Sequence, residues 1–268
     1  MIKIHYLGTC SGTEPMADMH HTSHVLEVGG SLYWFDAGEG CAHRAYTTGI
    51  PLMNSRAIFI SHPHIDHVGG LANLLWTMQK LEARYGAELI NANSLDIYLP
   101  DTDLIPSIMH VALMNRDAKF RYALNAHPVK DGVLHDDGSV KVSAIHNRHL
   151  RETGENGWHA FSYLVEADGK RIVFSGDVKS PDELDPIIEG CDLLVMETGH
   201  HPLRSVCEYA ISRKVAALRF VHHGREILEN RAECEALIKE YSQSSGIPMT
   251  VQSFVLRQSL RCFPSHPL

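Results

Sequence analysis

The sequence has no apolar run approaching the ~18–20 residues that span a bilayer, which excludes a transmembrane helix. It has no Cys-x-x-Cys pair either. Its cysteines (Cys10, Cys41, Cys191, Cys207, Cys234, Cys262) are scattered, a spacing that suits neither a zinc ribbon nor a disulfide framework. Free, buried thiols in a reducing compartment are the expectation. Positive charge is in deficit: 24 Lys and Arg against 32 Asp and Glu leave −8, which argues against gripping nucleic acid by bulk electrostatics. The opening MIKIHYLGTCSG lacks the long apolar stretch and small-residue cleavage site of a secretory signal, so it reads as a first strand and the compartment as the cytoplasm. Low-complexity linkers, fixed-period repeats and charge blocks are missing too. What is present is an ordinary globular composition, 268 residues with 44% hydrophobic and 21% charged, enough to bury a sizeable core in one domain over 1–268. One residue is abundant: there are 19 histidines.

Pattern predicts the elements. Ile2 to Leu7 alternates as a strand, and Ser23 to Val28 with Ser31 to Asp36 reads as a hairpin around Gly29-Gly30. Ala57 to Ile60 is a short apolar strand. Gly70 to Tyr85 places Leu71, Leu74, Leu75, Met78 and Leu81 at helical spacing, and Leu104 to Met114 is a weaker helix. Val140 to Ile145 is a strand, and Phe161 to Glu166 pairs with Arg171 to Phe174 across Asp168-Gly169. The last third alternates: helix Pro181 to Glu189, strand Leu193 to Met196, helix Val206 to Lys214, strand Ala217 to Val221, a long helix Ile227 to Tyr241 and a strand Thr250 to Val255. Grouped strands followed by interleaved strands and helices give an α/β fold class, two mixed β-sheets flanked by helices, in preference to a doubly wound parallel sheet.

The chemistry concentrates in Ser61-His62-Pro63-His64-Ile65-Asp66-His67, between the apolar strand and the Gly69-Gly70 helix start. Three imidazoles and a carboxylate so close together cannot all be buried without partners. On a loop at a strand end they can converge on cations. His62 and His64, at alternate positions, can face one metal, while Asp66 and His67 turn toward a second. Imidazole with carboxylate suits Zn²⁺, with Mn²⁺ or Fe²⁺ as alternatives.

This His-x-His-x-Asp-His cluster resembles the signature of the metallo-β-lactamase superfamily. The resemblance implies a four-layer αβ/βα sandwich, two divalent metal ions, and further ligands supplied in order along the chain. A histidine after the middle strand corresponds to His149, with His146 as the alternative. The bridging aspartate corresponds to Asp177 in Phe174-Ser175-Gly176-Asp177, and the last histidine to His222, with His223 as the alternative. One site is then His62, His64, His149 and Asp177; the other is Asp66, His67, Asp177 and His222. The resemblance implies hydrolysis by a metal-bridging hydroxide that Asp66 accepts a hydrogen bond from and aims. His200, His201 and His146 are the candidates for protonating the leaving group.

A finer resemblance lies in Leu7-Gly8-Thr9-Cys10-Ser11-Gly12-Thr13-Glu14-Pro15 and Phe35-Asp36-Ala37-Gly38-Glu39-Gly40, which are similar to the opening of ribonuclease Z and its phosphodiesterase relatives. The Gly-Thr-x-x-Gly turn lets the backbone pass close to the metal loop, and Asp36 is expected to orient a ligand histidine or a backbone amide from behind. Leu193 to Glu197 with Thr198-Gly199-His200-His201 is similar to the ribonuclease Z segment that carries a glutamate. The chain departs from that pattern in three places. One extra residue precedes Pro15, a Gly/Pro-rich basic arm is missing, and the later histidine has no counterpart except His200 or His201. These departures, with the acidic charge, favour a small phosphodiester substrate over RNA. RNA is the alternative, with Arg148, Arg151, Arg204 and Arg225 as the candidate basic patch. Lactone, thioester or β-lactam hydrolysis belongs to the same fold. A di-iron redox protein usually has glutamate where His64 stands, and a non-catalytic member usually lacks a ligand. No membrane partner is expected, and a homodimer is left open.

Overall fold

The computed structural model describes residues 2–14, 16, 17, 19–89, 93–113, 119–152 and 157–252. Pro15, Met114, Cys262 and the end of the last expected strand, Val255 included, lie outside them. The first sheet holds β1 (Ile2–Gly8), β2 (Ser23–Val28), β3 (Ser31–Phe35), β4 (Ser55–Phe59), β5 (Ser94–Leu99) and β6 (Ala123–Pro128), in that spatial order. β1, β2 and β3 are antiparallel; β3 to β6 are parallel. The second sheet holds β7 (Gly132–Asp136), β8 (Val140–His146), β9 (Phe161–Ala167), β10 (Lys170–Phe174), β11 (Leu193–Thr198), β12 (Leu218–His223) and β13 (Met249–Val251). There β7 to β10 are antiparallel and β10 to β13 parallel.

Local chemistry accounts for the turns. Gly29 and Gly30 both have positive φ, as do Asp168 and Gly169, the backbone that a two-residue hairpin turn needs. α1 (Cys41–Thr47), α3 (Leu71–Tyr85) and α4 (Leu104–Ala112) cover the outer face of the first sheet, α2 (Ile65–Val68) being a single turn beside the rim. Leu71, Leu74, Leu75 and Met78 of α3 bury the stripe that their spacing predicts. α5 (Asp185–Ile188), α6 (Leu203–Ser212), α7 (Arg225–Glu229) and α8 (Arg231–Ser245) cover the second sheet. The core between the sheets is aromatic: Phe35 stacks on Phe174 at 4.1 Å between centroids and on Phe59 at 5.2 Å. The result is the expected four-layer sandwich of two mixed sheets between helices.

Three expectations differ from what forms. The helix Pro181 to Glu189 divides into a 3₁₀ turn (Pro181–Leu184) and α5, because Pro186 has no N–H to continue the ladder. The long helix Ile227 to Tyr241 starts earlier and divides into α7 and α8 at Asn230, whose side-chain amide bonds back to the Glu226 carbonyl. Strands β5, β6 and β7 were not anticipated. Asp96, Asn125 and His127 interrupt the apolar pattern of β5 and β6, yet satisfy one another across the pair, Asn125 Nδ2 donating to Asp96 at 3.1 Å and His127 Nε2 at 2.9 Å.

Candidate functional site

The C-terminal ends of β3, β4, β8, β10, β11 and β12 meet at one rim, and each delivers a polar side chain there. The two sheets are tied at that rim: Phe161 N–H donates to the Ser61 carbonyl at 3.0 Å and the Tyr163 hydroxyl to the Ile60 carbonyl at 2.6 Å. β4 runs out into Ser61 to His64, and α2 carries Asp66 and His67. Beyond β8, buried Asn147 accepts the His149 N–H at 3.0 Å, an Asx turn that swings His149 back over the rim. Asp177 follows β10, and Glu197 and His222 lie near the ends of β11 and β12.

These side chains form two groups that meet at Asp177. In the first, His62 Nε2 lies 3.0 Å and His149 Nε2 3.3 Å from His64 Nδ1, and both Nε2 atoms are within 3.8 Å of Asp177 Oδ2. In the second, Asp66 Oδ2 is 3.4 Å from His67 Nε2 and 3.1 Å from His222 Nε2. His67 Nε2 is 3.4 Å from Asp177 Oδ1, and His222 Nε2 is 3.2 Å from Asp177 Oδ2. Each group has its ligand-type atoms within 4.8 Å of one another. Buried His67 Nε2 and Asp177 Oδ1 have no hydrogen-bond partner among the described residues, an unsatisfied pair that a cation would satisfy. The donor set thus fits divalent ions.

Behind the groups, hydrogen bonding fixes the imidazoles. Asp36, itself at φ 61, accepts the Ser61 N–H at 2.7 Å, the Ser61 hydroxyl at 3.0 Å and His67 Nδ1–H at 2.7 Å. Ser61 Oγ in turn receives His62 Nδ1–H at 3.0 Å. Both expected duties of Asp36, toward a histidine and toward a backbone amide, are present. This relay turns the Nε2 lone pairs of His62 and His67 toward the centre.

Electrostatics follow from the same packing. Burial would push His222 down, but the Asp177, Asp66 and Glu197 carboxylates outweigh it and carry its pKa to about 9. His67 is likewise raised well above its ordinary value, burial being outweighed by Asp177 and Asp36. Burial would raise Asp66 and Asp177, yet the surrounding imidazoles hold both well below the carboxylate range. Burial lowers His62 strongly and His149 to about 4. The raised values favour the charged imidazole at His67 and His222, opposite the Asp66 and Asp177 carboxylates.

The remaining expected residues divide. His200 is at the open side, its Nδ1 3.2 Å from Glu197 and 3.7 Å from Asp177. His201 turns inward and donates to the Val178 carbonyl at 3.0 Å. His146 is outside the groups, bonded to Asp131 at 2.7 Å and stacked on Trp158. His223 is fully buried on the opposite side of β12, where Nε2–H donates to the Gln252 carbonyl at 2.6 Å. The expected strand end at Val221 moves to His223, so both histidines belong to β12 rather than to the loop beyond it.

Glu197 is the residue that pattern underplayed. It is buried, accepts the N–H groups of Gly199 at 2.8 Å and His200 at 3.0 Å, and joins Asp177, His200 and His222 in a third cluster of ligand-type atoms. The available signal was a carboxylate closing the apolar run Leu193 to Met196.

Residues 2–228 match the family described as anti-Pycsar protein Apyc1. The chain is 26% identical to a ribonuclease Z of Methanothermobacter thermautotrophicus over 278 aligned positions, covering 83% of this chain and 86% of that one. Among solved structures, a metallo-β-lactamase fold protein from Bacillus subtilis superposes with a TM-score of 0.71 at 15% identity, covering 94% of this chain and 96% of that one. The short form of human tRNase Z gives 0.69 at 18% identity, with the same coverage of 94% and 96%. The fold is therefore the metallo-β-lactamase fold.

Proposed function

Because the chain belongs to the anti-Pycsar protein Apyc1 family and is a metal-dependent hydrolase, we propose that it is a dinuclear phosphodiesterase acting on a compact phosphodiester. His62, His64, His149 and Asp177 would hold one ion; Asp66, His67, Asp177 and His222 would hold the other, with Zn²⁺ the favoured metal for imidazole and carboxylate donors. The observation that carries this reading is the approach of both groups to one carboxylate, Asp177, which belongs to the Asp66, His67 and His222 cluster and lies 3.7 to 3.8 Å from Nε2 of His62 and His149. Bound ions supply a water acidified toward neutrality and positive charge opposite the phosphoryl oxygens. The chain's part is orientation. Asp66 aims the nucleophilic water through a hydrogen bond, and Asp36 and Ser61 lock the tautomers of His67 and His62. His200, half-exposed beside Glu197, is placed to donate a proton to the departing alkoxide, while His201, bonded to Val178, holds Glu197 in position.

Asp36→Asn keeps the volume but weakens the acceptor for His67 and Ser61. Its expected effect is a loss of about 10–100-fold in metal affinity. Competition with a chromophoric chelator measures this, and an unchanged affinity would remove Asp36 from the metal centre.

A compact substrate is favoured by the surface around the rim. Arg225 is held by Glu14 at 2.6 Å and by Glu229 at 3.1 Å, and Arg204 by the Tyr241 hydroxyl at 2.9 Å. Arg148 lines a cleft with Asp131, Asp182, Glu183 and Asp185. Such a surface offers little to a chain of phosphates. The second reading, a tRNA 3′ endonuclease, is supported by the relative named ribonuclease Z. Bis-p-nitrophenyl phosphate and a precursor tRNA separate the two. Turnover of the small diester should vary little with salt, and the precursor should be left uncut. Trimming of the precursor at its 3′ end, with a loss on the order of 10³-fold between low and moderate salt, would establish the second reading instead.

A further inference from the structure

The histidines of the two groups are not held alike. His62 and His67 each have Nδ1 tied to a hydrogen-bond acceptor, Ser61 and Asp36. His222 has none: its buried Nδ1 has no hydrogen-bond partner among the described residues, and the nearest carboxylate oxygen, Glu197 Oε2, is 3.8 Å away. Its backbone is at φ 50, a left-handed region that side-chain-bearing residues avoid. With no bond to set the ring angle, packing must set it.

The packing surfaces are a glycine and a ring. A Cβ built on Gly199 would lie 2.6 Å from His222 Nδ1 and 2.9 Å from Cε1, and the His200 ring stacks on His222 at 5.4 Å between centroids. Asp66, the partner of His222 in the second group, is confined in the same manner. A Cβ on Gly12 would lie 2.9 to 3.1 Å from all three atoms of its carboxylate group. Neither glycine has a positive φ, so neither is needed for its backbone freedom. Both are positions where any side chain would occupy the space of a donor group.

We propose that Gly199 and Gly12 are positioning residues that set the His222 ring and the Asp66 carboxylate by close contact, and so fix the second divalent-ion position. The proposal rests on the assignment of Asp66 and His222 to that position. The three atoms nearest a Cβ on Gly199 all belong to His222 and those nearest a Cβ on Gly12 all to Asp66, so the consequence is selective: a methyl at either glycine disturbs one ion and spares the other.

The test uses Gly199→Ala and Gly12→Ala, each stripped of metal and titrated with Co²⁺, with bound ions counted by elemental analysis after gel filtration. Wild type should retain two ions per chain and each variant close to one. The diesterase kcat should fall about 10–100-fold with KM little changed, the size of effect expected when a ligand's support is lost. The double variant Gly199→Ala/His222→Ala separates positioning from general packing. If Gly199 acts through His222, the double variant binds and turns over like His222→Ala alone, and it folds even if Gly199→Ala does not, because the ring contacts at 2.6 and 2.9 Å are gone and only a 3.1 Å approach to the His222 carbonyl oxygen is left. Two tightly held ions in Gly199→Ala, additive losses in the double variant, or a double variant that still fails to fold would each overturn the proposal. Full retention of both ions by His222→Ala would instead overturn the ligand assignment beneath it.

Discussion

Asp177→Ala should strip both ions from the protein at once, taking the metal content from two per chain to well below one. Among the described residues Asp177 is the carboxylate in reach of both groups, with Nε2 of His62, His67, His149 and His222 at 3.2 to 3.8 Å. Its removal leaves His67 and His222 with one fewer anion and takes from His62 and His149 the carboxylate 3.7 to 3.8 Å from their Nε2 atoms. Three neutral imidazoles can still bind an ion, though more weakly. The second group keeps Asp66, His67 and His222 but loses the atom that joins it to the first. Diesterase turnover should therefore drop by more than the ~10²–10³ that losing a single stabilising donor costs. Asp177→Asn distinguishes charge from shape, since it keeps the side-chain volume in a position only 2% exposed. The same loss of metal in both variants identifies the carboxylate itself as the cause. Two ions per chain in Asp177→Ala would show that the shared position belongs to another residue.

How much of this was legible in the sequence depends on how local the information was. The hairpin at Gly29-Gly30 and the helix from Leu71 to Tyr85 follow from turn chemistry and a 3.6-residue stripe, which are written within a few positions of one another. The loop from His62 to His67 is equally local, because six consecutive positions carry four donors. β5 and β6 are different. Their polar residues make sense only once Asp96 meets Asn125 and His127 across the sheet, a pairing that no window along the chain contains. The helix breaks at Pro186 and Asn230 were marked by residues that oppose helix continuation, but the apolar spacing around them was the stronger pattern.

The site divides in the same way. Donors on the β4 loop declared themselves by type and spacing, whereas His149, Asp177 and His222 could be ordered only by resemblance, His149 and His222 each having a neighbouring alternative. The structure separates those alternatives by partners that lie far away in sequence. His146 is bonded to Asp131 and stacked on Trp158, and His223 is bonded to Gln252. Glu197 was seen as a likeness rather than as a hub, since the amides and imidazoles it gathers come from the turn after β11 and from β12. The positive φ of His222 left no mark in the sequence at all: nothing about a histidine beside a histidine indicates which one reverses its backbone.

That reversal sets up the sharpest contrast available in the molecule. His222→Ala should lose the second ion and most diesterase turnover, because its Nε2 is the atom that faces Asp66 at 3.1 Å and Asp177 at 3.2 Å. His223→Ala should spare the site and cost stability. Its ring is completely buried, donates to the Gln252 carbonyl at 2.6 Å and approaches Thr198 Oγ1 at 3.3 Å. Its main chain is bonded to Thr9 and Ser11. Truncation there opens a cavity and leaves a carbonyl without its donor, a loss of about 2–4 kcal/mol in unfolding free energy. The metal content should stay at two. Burial makes the loss of His223 mild for chemistry and costly for stability. Urea unfolding of the metal-free proteins, paired with elemental analysis of the loaded ones, reads both effects. Metal loss in His223→Ala with two ions kept in His222→Ala would exchange the roles of the two histidines and move the second metal position to the other side of β12.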